Sequence, residues 1–268
     1  MIAAAISEPV RSRDYLSFSA MRTFQSCPLK YRFRYIDGLP ESCTASSLVF
    51  GSAIHAAVET VFRAQLCGEP VPDLEALMAV YCSSWQAGQT ATIQLGASET
   101  TESLEQLARR MLQRFLDSEL VRPEGRIIGI EEEFRGELVP GVPDLLGRVD
   151  LLLETETDLV IQDFKTARSV WDADQAYESA EQLLLYAELV RRVMPGKPRK
   201  LRFAVLTKTR EPKLQVLDAP FEADRLERMK HVFQTVWSAI QAGHFYPSPS
   251  PMTCSGCGYR SQCTAWRG

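Results

Sequence analysis

The feature that most constrains the fold of this chain is a change of hydrophobic period near residue 126. From there, three short runs alternate apolar and polar residues and are separated by Pro, Gly and acidic turns: RIIGIEEEFRGEL, DLLGRVDLLLE and DLVIQDFKTA. A period of two is typical of β-strands, and tight turns between consecutive runs predict an antiparallel meander. The later runs LRFAVLTKT and KLQVLDAPF predict two more strands.

Helical patterns lie on both sides of these strands. Residues 73–87 and 99–119 have a helical period, as do FGSAIHAAVETVFRAQLCG, AYESAEQLLLYAELVRRV and EADRLERMKHVFQTVWSAIQAG. The tail HFYPSPSPMTCSGCGYRSQCTAWRG is punctuated by prolines and has no period. We therefore expect one α/β domain over 1–268, with a helical portion at 51–120, a sheet core at 126–219 and a cysteine-bearing tail.

The composition excludes a disordered chain and a membrane span. Hydrophobic residues make up 45% and charged residues 24% of the 268 residues, which is typical of a soluble globular protein with a sizeable core. No run approaches the ~18–20 apolar residues that cross a bilayer. The opening MIAAAIS lacks the basic start of a secretory signal. We expect a cytoplasmic protein with no membrane partner.

The net charge of −4 does not decide whether the partner is a nucleic acid, but its distribution is uneven. Residues 191–213 carry nine Lys or Arg against one acid, and residues 131–163 carry ten acids against Arg135 and Arg148. A polyanion would meet the basic stretch, and cations would meet the acidic one. The alternative is that both stretches are ordinary solvated faces.

Opposite charges end the strand DLVIQDFKTA. Asp163 and Lys165 lie two residues apart and therefore point to the same face of the strand. Asp150, in the preceding strand, can approach Asp163 across a tight turn. Two carboxylates held together favour a divalent cation, and a nearby lysine can assist a water or a phosphate. A strand-end ion pair is the simpler alternative for Asp163 and Lys165.

Three further side chains are candidates for the same site. His55 lies in a helix of small and apolar residues, where a histidine is more often packed than ligating. Gln182 and Tyr186 are four residues apart and share a helix face. Glu131, on the first predicted strand, is a further candidate ligand, with a solvated acidic strand as its alternative.

Four of the seven cysteines have suggestive positions: Cys27 upstream, and Cys254, Cys257 and Cys263 in the tail. In a reducing compartment such a group indicates a metal more often than disulfides. Zinc takes four thiolates, commonly as two local pairs, whereas an iron–sulfur cluster accepts three local thiolates and one distant thiolate. Both metals remain open on spacing alone. The other cysteines are expected to be packed or incidental: Cys43, Cys67 and Cys82.

Four motifs follow one another along the chain: Gly-x-x-x-His (Gly51 to His55), Gly-x-x-Asp (Gly147 to Asp150), Asp-x-Lys (Asp163 to Lys165) and Gln-x-x-x-Tyr (Gln182 to Tyr186). This combination resembles the RecB-type branch of the PD-(D/E)XK nucleases over nearly the whole chain. The resemblance implies a restriction-endonuclease-like core, in which a central mixed sheet is flanked by helices, so that 1–268 is a single nuclease domain.

The resemblance also implies roles for these side chains. It implies a Mg²⁺ or Mn²⁺ site whose ligands are His55, Asp150, Asp163 and the backbone carbonyl of Phe164. Lys165 would help to activate the attacking water, and Gln182 and Tyr186 would support Lys165 and the DNA. The activity implied is that of a metal-dependent DNA nuclease, an exonuclease on single-stranded or frayed DNA in repair, recombination or phage- and CRISPR-related processing.

The iron–sulfur branch of that family, which includes AddB-like and CRISPR-associated RecB-like enzymes, places one cysteine upstream and three in the tail. The resemblance therefore implies a [4Fe–4S] cluster on Cys27, Cys254, Cys257 and Cys263, in a module formed by residue 27 and residues 254–263. It implies DNA as the partner, together with a helicase or a recombination or CRISPR protein. The alternative function is a DNA-binding iron–sulfur module whose nuclease site has decayed.

Overall fold

The structure is a computed structural model and describes residues 14–268. Its strands are, in chain order, Tyr15–Ser17 (β1), Cys43–Ala45 (β2), Thr92–Gln94 (β3), Arg126–Gly136 (β4), Asp144–Glu154 (β5), Leu159–Ala167 (β6), Arg199–Thr207 (β7) and Leu214–Ala219 (β8). Its helices are Phe18–Ser26 (α1), Pro28–Tyr31 (α2), Ser46–Leu66 (α3), Leu74–Ala87 (α4), Thr101–Leu116 (α5), Ala173–Ser179 (α6), Glu181–Val193 (α7), Ala223–Gln241 (α8), Pro251–Cys254 (α9) and Arg260–Ala265 (α10). The described chain forms two compact units.

The larger unit comprises residues 43–134 and 147–226 and contains most of a mixed sheet. Strand β4 pairs with β5, β5 runs antiparallel to β6, β6 runs parallel to β7, and β7 runs antiparallel to β8. The parallel pair is joined by the crossover that contains α6 and α7, as such a connection requires. The mixed sheet flanked by helices is confirmed, and the consecutive strands β4, β5 and β6 pair as the predicted meander requires.

Both faces of the central strands are covered. One face of β6 and β7 contributes Val160, Phe164 and Ala204 to a core that also contains the apolar sides of α3, α4 and α5. The residues between them, such as Ile161 and Phe203, are also buried, and α7 contacts both strands. Because successive side chains of a strand point to opposite faces, β6 is enclosed on both sides from Leu159 to Phe164, and the charge of Asp163 lies in a poorly solvated place.

The smaller unit comprises residues 14–42, 135–146 and 227–268 of the described chain. Here β1 pairs in parallel with the first three residues of β5, from Tyr15↔Asp144 to Ser17↔Leu146. Ser17 also begins α1, because its hydroxyl accepts a hydrogen bond from the N–H of Ala20 at 3.2 Å. Pro28 opens α2, where a missing N–H has no cost. The interpretation of 1–268 as a single domain stays a prediction.

The predicted helix AYESAEQLLLYAELVRRV is interrupted in the structure. Helix α6 ends at Ser179 and α7 begins at Glu181. The guanidinium of Arg225, in the first turn of α8, donates hydrogen bonds to the backbone carbonyls of Tyr177 and Glu178. These bonds come from a residue distant in sequence, so the local pattern, which contains neither Gly nor Pro, gave no sign of the break.

Short elements were also absent from the predictions. Strands β2 and β3 pair in parallel as a separate two-stranded sheet that no sequence pattern predicts. Strand β1 was not predicted either, and the tail contains the short helices α9 and α10. Elements of three to six residues are too short to show a hydrophobic period. Within residues 14–268, no helix has the length and apolar character needed to cross a membrane.

Candidate active site

The charged end of β6 forms an ion pair within the larger unit. The Nζ of Lys165 lies 2.7 Å from Oδ2 of Asp163, and the Asp163 side chain is almost completely buried. The Lys165 side chain is one-third exposed. Strand β6 therefore presents an ammonium that is fixed by a buried carboxylate and still accessible from solvent.

Asp150 lies where the ladder between β5 and β6 stops. The residue pairs of that ladder run from Glu154↔Leu159 to Leu151↔Gln162. One residue beyond it, the carboxylate of Asp150 accepts a hydrogen bond from the backbone N–H of Phe164 at 2.8 Å. A side chain thus satisfies a strand N–H at this point, and the bond fixes Asp150 beside the residue that separates Asp163 from Lys165.

Helix α3 brings His55 to the same carboxylate. The Nδ1 of His55 lies 3.5 Å from Oδ2 of Asp150. The imidazole also meets the Phe164 ring edge-on, with ring centroids 6.3 Å apart. The backbone of Phe164 accepts a hydrogen bond from the imidazole and acts to raise the pKa of His55. The accepting group is the carbonyl, which is the main-chain group predicted as a cation ligand.

Helix α7 supplies the pair Gln182 and Tyr186. The Nε2 of Gln182 donates a hydrogen bond to the phenol oxygen of Tyr186 at 3.0 Å, and Tyr186 is buried. Tyr186 lies close enough to Lys165 to affect the pKa of that lysine, whose direct partner is Asp163. The Tyr186 ring also explains the glycine of the Gly-x-x-Asp motif, because a Cβ on Gly147 would lie 2.6 Å from two ring atoms.

Glu131 approaches the site from β4. One ligand atom from each of His55, Glu131 and Asp150 lies within 4.8 Å of the others, an arrangement that can hold a metal ion. Asp163 is outside this group, and one of its oxygens contacts Lys165 instead. Glu131 has a φ of 50°, which is uncommon for a residue other than glycine. Strand alternation cannot predict where a side chain points at such a position.

Burial and the neighbouring charges together set the protonation of the site. Burial, followed by the nearby Asp163 carboxylate, raises the pKa of Asp150 to about 8. Burial lowers the pKa of His55 and outweighs the opposing effect of Asp163, which favours the neutral imidazole at pH 7. Burial alone would lower the pKa of Lys165, but the nearby Asp163 and Asp150 carboxylates and Tyr186 together outweigh it, and the pKa is raised.

The donor set fits a divalent cation. Mg²⁺ and Mn²⁺ prefer oxygen ligands, and Mn²⁺ also accepts imidazole. Burial and the neighbouring Asp163 carboxylate both disfavour the charged form of Asp150, and a positive ion between the carboxylates would relieve both effects. The neutral form of His55 is the form that binds metals. The site therefore offers ligands of the correct chemistry on His55, Glu131 and Asp150, with Asp163 adjacent.

The smaller unit holds the four cysteines expected to bind a metal. Cys27, Cys254, Cys257 and Cys263 line one cavity of about 60 Å³, together with apolar side chains that include Phe33. Burial, followed by the other three thiols, raises the pKa of Cys263. All seven cysteines are free of disulfides. The remaining three lie in the larger unit: Cys43, Cys67 and Cys82.

Comparison with known proteins shows the family of the chain. Residues 15–264 match the PD-(D/E)XK nuclease superfamily, and the chain therefore belongs to that superfamily. A crystal structure from Eubacterium rectale, provisionally named an exonuclease, is similar in fold, with a TM-score of 0.60 at 14% identity over 95% of this chain and 89% of that one. The structure of SSO0001 matches 92% of this chain and 95% of its own at 14% identity, with a TM-score of only 0.39. No curated protein sequence matches the chain.

Proposed function

We propose that this chain is a Mg²⁺- or Mn²⁺-dependent DNA nuclease that acts as an exonuclease on single-stranded or frayed ends. One observation carries the proposal. The Asp150 carboxylate lies 3.5 Å from the His55 imidazole and accepts the N–H of Phe164, the residue between Asp163 and Lys165. Three separated segments thus meet at one carboxylate beside a lysine, an arrangement suited to metal-assisted hydrolysis of a phosphodiester.

The cation would be held by His55, Asp150, Asp163 and the backbone carbonyl of Phe164. When bound, it would supply positive charge that polarises the scissile phosphate and makes water a better nucleophile. The donor chemistry of the site supports this assignment, and the burial of Asp163 keeps its charge poorly screened by solvent.

Lys165 would stabilise the charge that develops during hydrolysis. The water oxygen bonds to phosphorus, one P–O bond breaks, and the leaving oxygen becomes protonated. An ammonium that is charged, held by Asp163 at 2.7 Å and partly exposed can donate a further hydrogen bond to a phosphate oxygen or to the attacking water. Tyr186, hydrogen-bonded to Gln182, would limit the positions that Lys165 can take.

The experiment is digestion of matched linear and circular single strands with Mn²⁺. Wild-type protein should degrade the linear strand and leave the circle intact. Lys165→Ala and Asp163→Asn should lower the rate at least ~100-fold, the range for lost acid–base or charge-stabilising groups. Both variants should still bind DNA, measured by fluorescence anisotropy.

A matched control exists on the same sheet. Lys200 and Asp218 form an ion pair of the same kind at 2.9 Å, and Lys200 lies beside Val160 at the other end of β6. Lys200→Ala should cleave as wild type does. Wild-type protein that binds the strand without cleaving it would indicate the decayed DNA-binding module, and cleavage of the circle would indicate an endonuclease.

We also propose that Cys27, Cys254, Cys257 and Cys263 hold a [4Fe–4S] cluster. The size of the cavity supports a cluster over one zinc ion. Its volume of about 60 Å³ is several times larger than the ~10–15 Å³ that one occupant of the size of a water molecule needs. The apolar lining would shield a cluster from solvent, and solvent exposure affects the reduction potential of such clusters.

Anaerobic purification tests this second proposal. The protein should show a broad absorption band at about 400 nm, typical of iron bound by thiolates, and analysis should give near-equal iron and sulfide. Cys263→Ser should lose the band, whereas Cys67→Ser, at an exposed position, should keep it. Stoichiometric zinc without iron or sulfide would contradict the assignment.

A further inference from the structure

An ion pair joins the candidate active site to the protein surface. Glu131 in β4 and Arg148 in β5 are 2.9 Å apart, measured between Oε2 and Nε. The Arg148 side chain is 63% exposed, whereas that of Glu131 is 17% exposed. The guanidinium thus lies mostly in solvent and contacts a carboxylate that also belongs to the group formed with His55 and Asp150.

We propose that Arg148 neutralises Glu131 until a divalent cation binds, and that the cation then takes over Glu131 and frees Arg148 to hold a phosphate of the DNA strand. This inference rests on the proposed nuclease function and adds two residues to it. Glu131 becomes a ligand of the cation, and Arg148 becomes a positioning residue for the strand.

The geometry supports an exchange of partners. A cation bound by His55 and Asp150 would lie within reach of the Glu131 carboxylate, because the three ligand atoms are within 4.8 Å of one another. The Arg148 guanidinium lies mostly in solvent, which weakens its hold on the Glu131 carboxylate, so a dication at this point can compete with it. Arg148 carries five N–H donors in a planar fork that matches the oxygens of a phosphate.

The charge balance points to the same ligand. Three carboxylates, those of Glu131, Asp150 and Asp163, face one guanidinium and one ammonium, those of Arg148 and Lys165. With all three carboxylates ionised, these five groups have a net charge of −1. A bound dication changes the net charge of the site to +1. A phosphodiester carries one negative charge, so the cation-loaded site is complementary to a single linkage of the strand.

Mn²⁺ titration by calorimetry tests the role of Glu131. Glu131→Gln should weaken Mn²⁺ binding at least ~10-fold, because affinity follows the charge of the ligand set. Arg148→Gln should bind Mn²⁺ as tightly as wild type or more tightly, since a competitor is removed. The control pair Arg126 and Glu154 also bridges β4 and β5, away from the metal ligands, and Arg126→Gln should not change the affinity.

DNA binding tests the role of Arg148. Anisotropy is measured with Ca²⁺, under conditions in which no product forms, and again without divalent cation. With Ca²⁺, Arg148→Gln should bind a single strand about 10-fold more weakly, and the slope of log affinity against log salt should fall by about 0.7, the value for one lost phosphate contact. Without the cation, Arg148→Gln and wild type should bind alike.

The outcomes separate this inference from the proposed function. Unchanged Mn²⁺ affinity in Glu131→Gln, or a salt slope in Arg148→Gln equal to that of Arg126→Gln, overturns the inference even if the wild type cleaves DNA. If Glu131→Gln and Arg148→Gln show their expected effects and the wild-type protein does not cleave DNA, the nuclease proposal is overturned and the inference stands. Circular dichroism establishes that each variant is folded, and Arg148→Lys, which keeps the charge, should retain the salt slope.

Discussion

At the scale of single residues, the Tyr186 side chain, which belongs to another motif, leaves room only for glycine at position 147. An added Cβ would lie 2.6 Å from two atoms of the Tyr186 ring, closer than any carbon contact allows. The Gly-x-x-Asp and Gln-x-x-x-Tyr motifs are therefore in contact in the fold. The glycine allows α7 to approach β5, and this approach places Tyr186 near Lys165.

Gly147→Ala should lower the free energy of unfolding by about 1–3 kcal/mol, the usual cost of overpacking. The control is Gly51→Ala, because a Cβ on Gly51 meets only Thr166 Oγ1 at 3.4 Å, an ordinary contact. That change should be neutral or stabilising, since alanine favours a helix by about 0.5–1 kcal/mol. Equal losses in the two variants, measured by urea denaturation, would show that Tyr186 does not exclude the Cβ.

The sequence alone predicts those contacts of the candidate site that depend on the local geometry of the backbone. Asp163 and Lys165 share a strand face by alternation alone, and the structure forms their ion pair. The contact between His55 and Asp150 joins segments that no local rule connects, and it was expected only from a family resemblance. Glu131 joins the group from a position whose φ is 50°, a backbone conformation that a strand pattern cannot indicate.

At the scale of elements, tertiary contacts end helices that the sequence predicts to continue. Arg225 is buried, donates hydrogen bonds to the carbonyls of Tyr177 and Glu178, and lies over the Tyr177 ring with 4.3 Å between the guanidinium carbon and the ring centroid. The break between α6 and α7 thus depends on a residue of α8. Long periodic helices such as α5 were predicted nearly to their ends, because period and caps act locally.

Arg225→Ala should lower the free energy of unfolding by about 2 kcal/mol, because two part-buried hydrogen bonds to backbone carbonyls are lost together with the packing of a buried side chain. Arg228→Ala, at an exposed position one turn later in α8, should have little effect. The measurement is thermal or chemical unfolding of both variants. A loss of less than about 0.5 kcal/mol in Arg225→Ala would contradict the capping role.

The segment that carries β3 is tied to the start of α3 by one carboxylate. Glu99 accepts hydrogen bonds from the Ser46 hydroxyl at 2.6 Å and from the Gly96 N–H at 2.9 Å. These bonds, with Ser46 first, lower the pKa of Glu99 below its usual 4.5. A carboxyl whose folded-state pKa is lowered stabilises the protein above the unfolded pKa, and that contribution is lost as the pH falls through the folded value.

Glu99→Gln should therefore be less stable than wild type at pH 7, and the difference should shrink as the pH falls from about 5 to 3. Urea denaturation across that range measures it. Glu69→Gln, at an exposed loop position, controls for the general loss of one charge. A difference between Glu99→Gln and wild type that stays constant with pH would contradict the proposed stabilisation.

At the scale of the whole molecule, the four cysteines connect distant parts of the sequence within the smaller unit. Cys27 follows α1, and the other three lie within the last fifteen residues. A cluster that joins them would close a very long loop, which removes much of the conformational freedom of the unfolded chain. A helicase, recombination or CRISPR partner and a cytoplasmic location stay predictions.

Loss of the cluster should therefore destabilise the smaller unit before the larger one. Cys263→Ser should increase amide hydrogen exchange in residues 14–42 and 244–268, while β5 residues 151–154 and β6 stay protected. The reference is wild-type protein that retains its iron, with Cys67→Ser as the control. Uniformly increased exchange across both regions would contradict a local stabilising role for the cluster.

The most direct test of the account is the position of a bound cation. Crystals grown with Mn²⁺ can be measured for anomalous scattering, which locates the ion independently of the protein atoms. One peak is predicted, at about 2.2 Å from ligand atoms of His55, Asp150, Asp163 and Glu131. A peak held by other residues, or none at these side chains in protein that cleaves DNA, would contradict it.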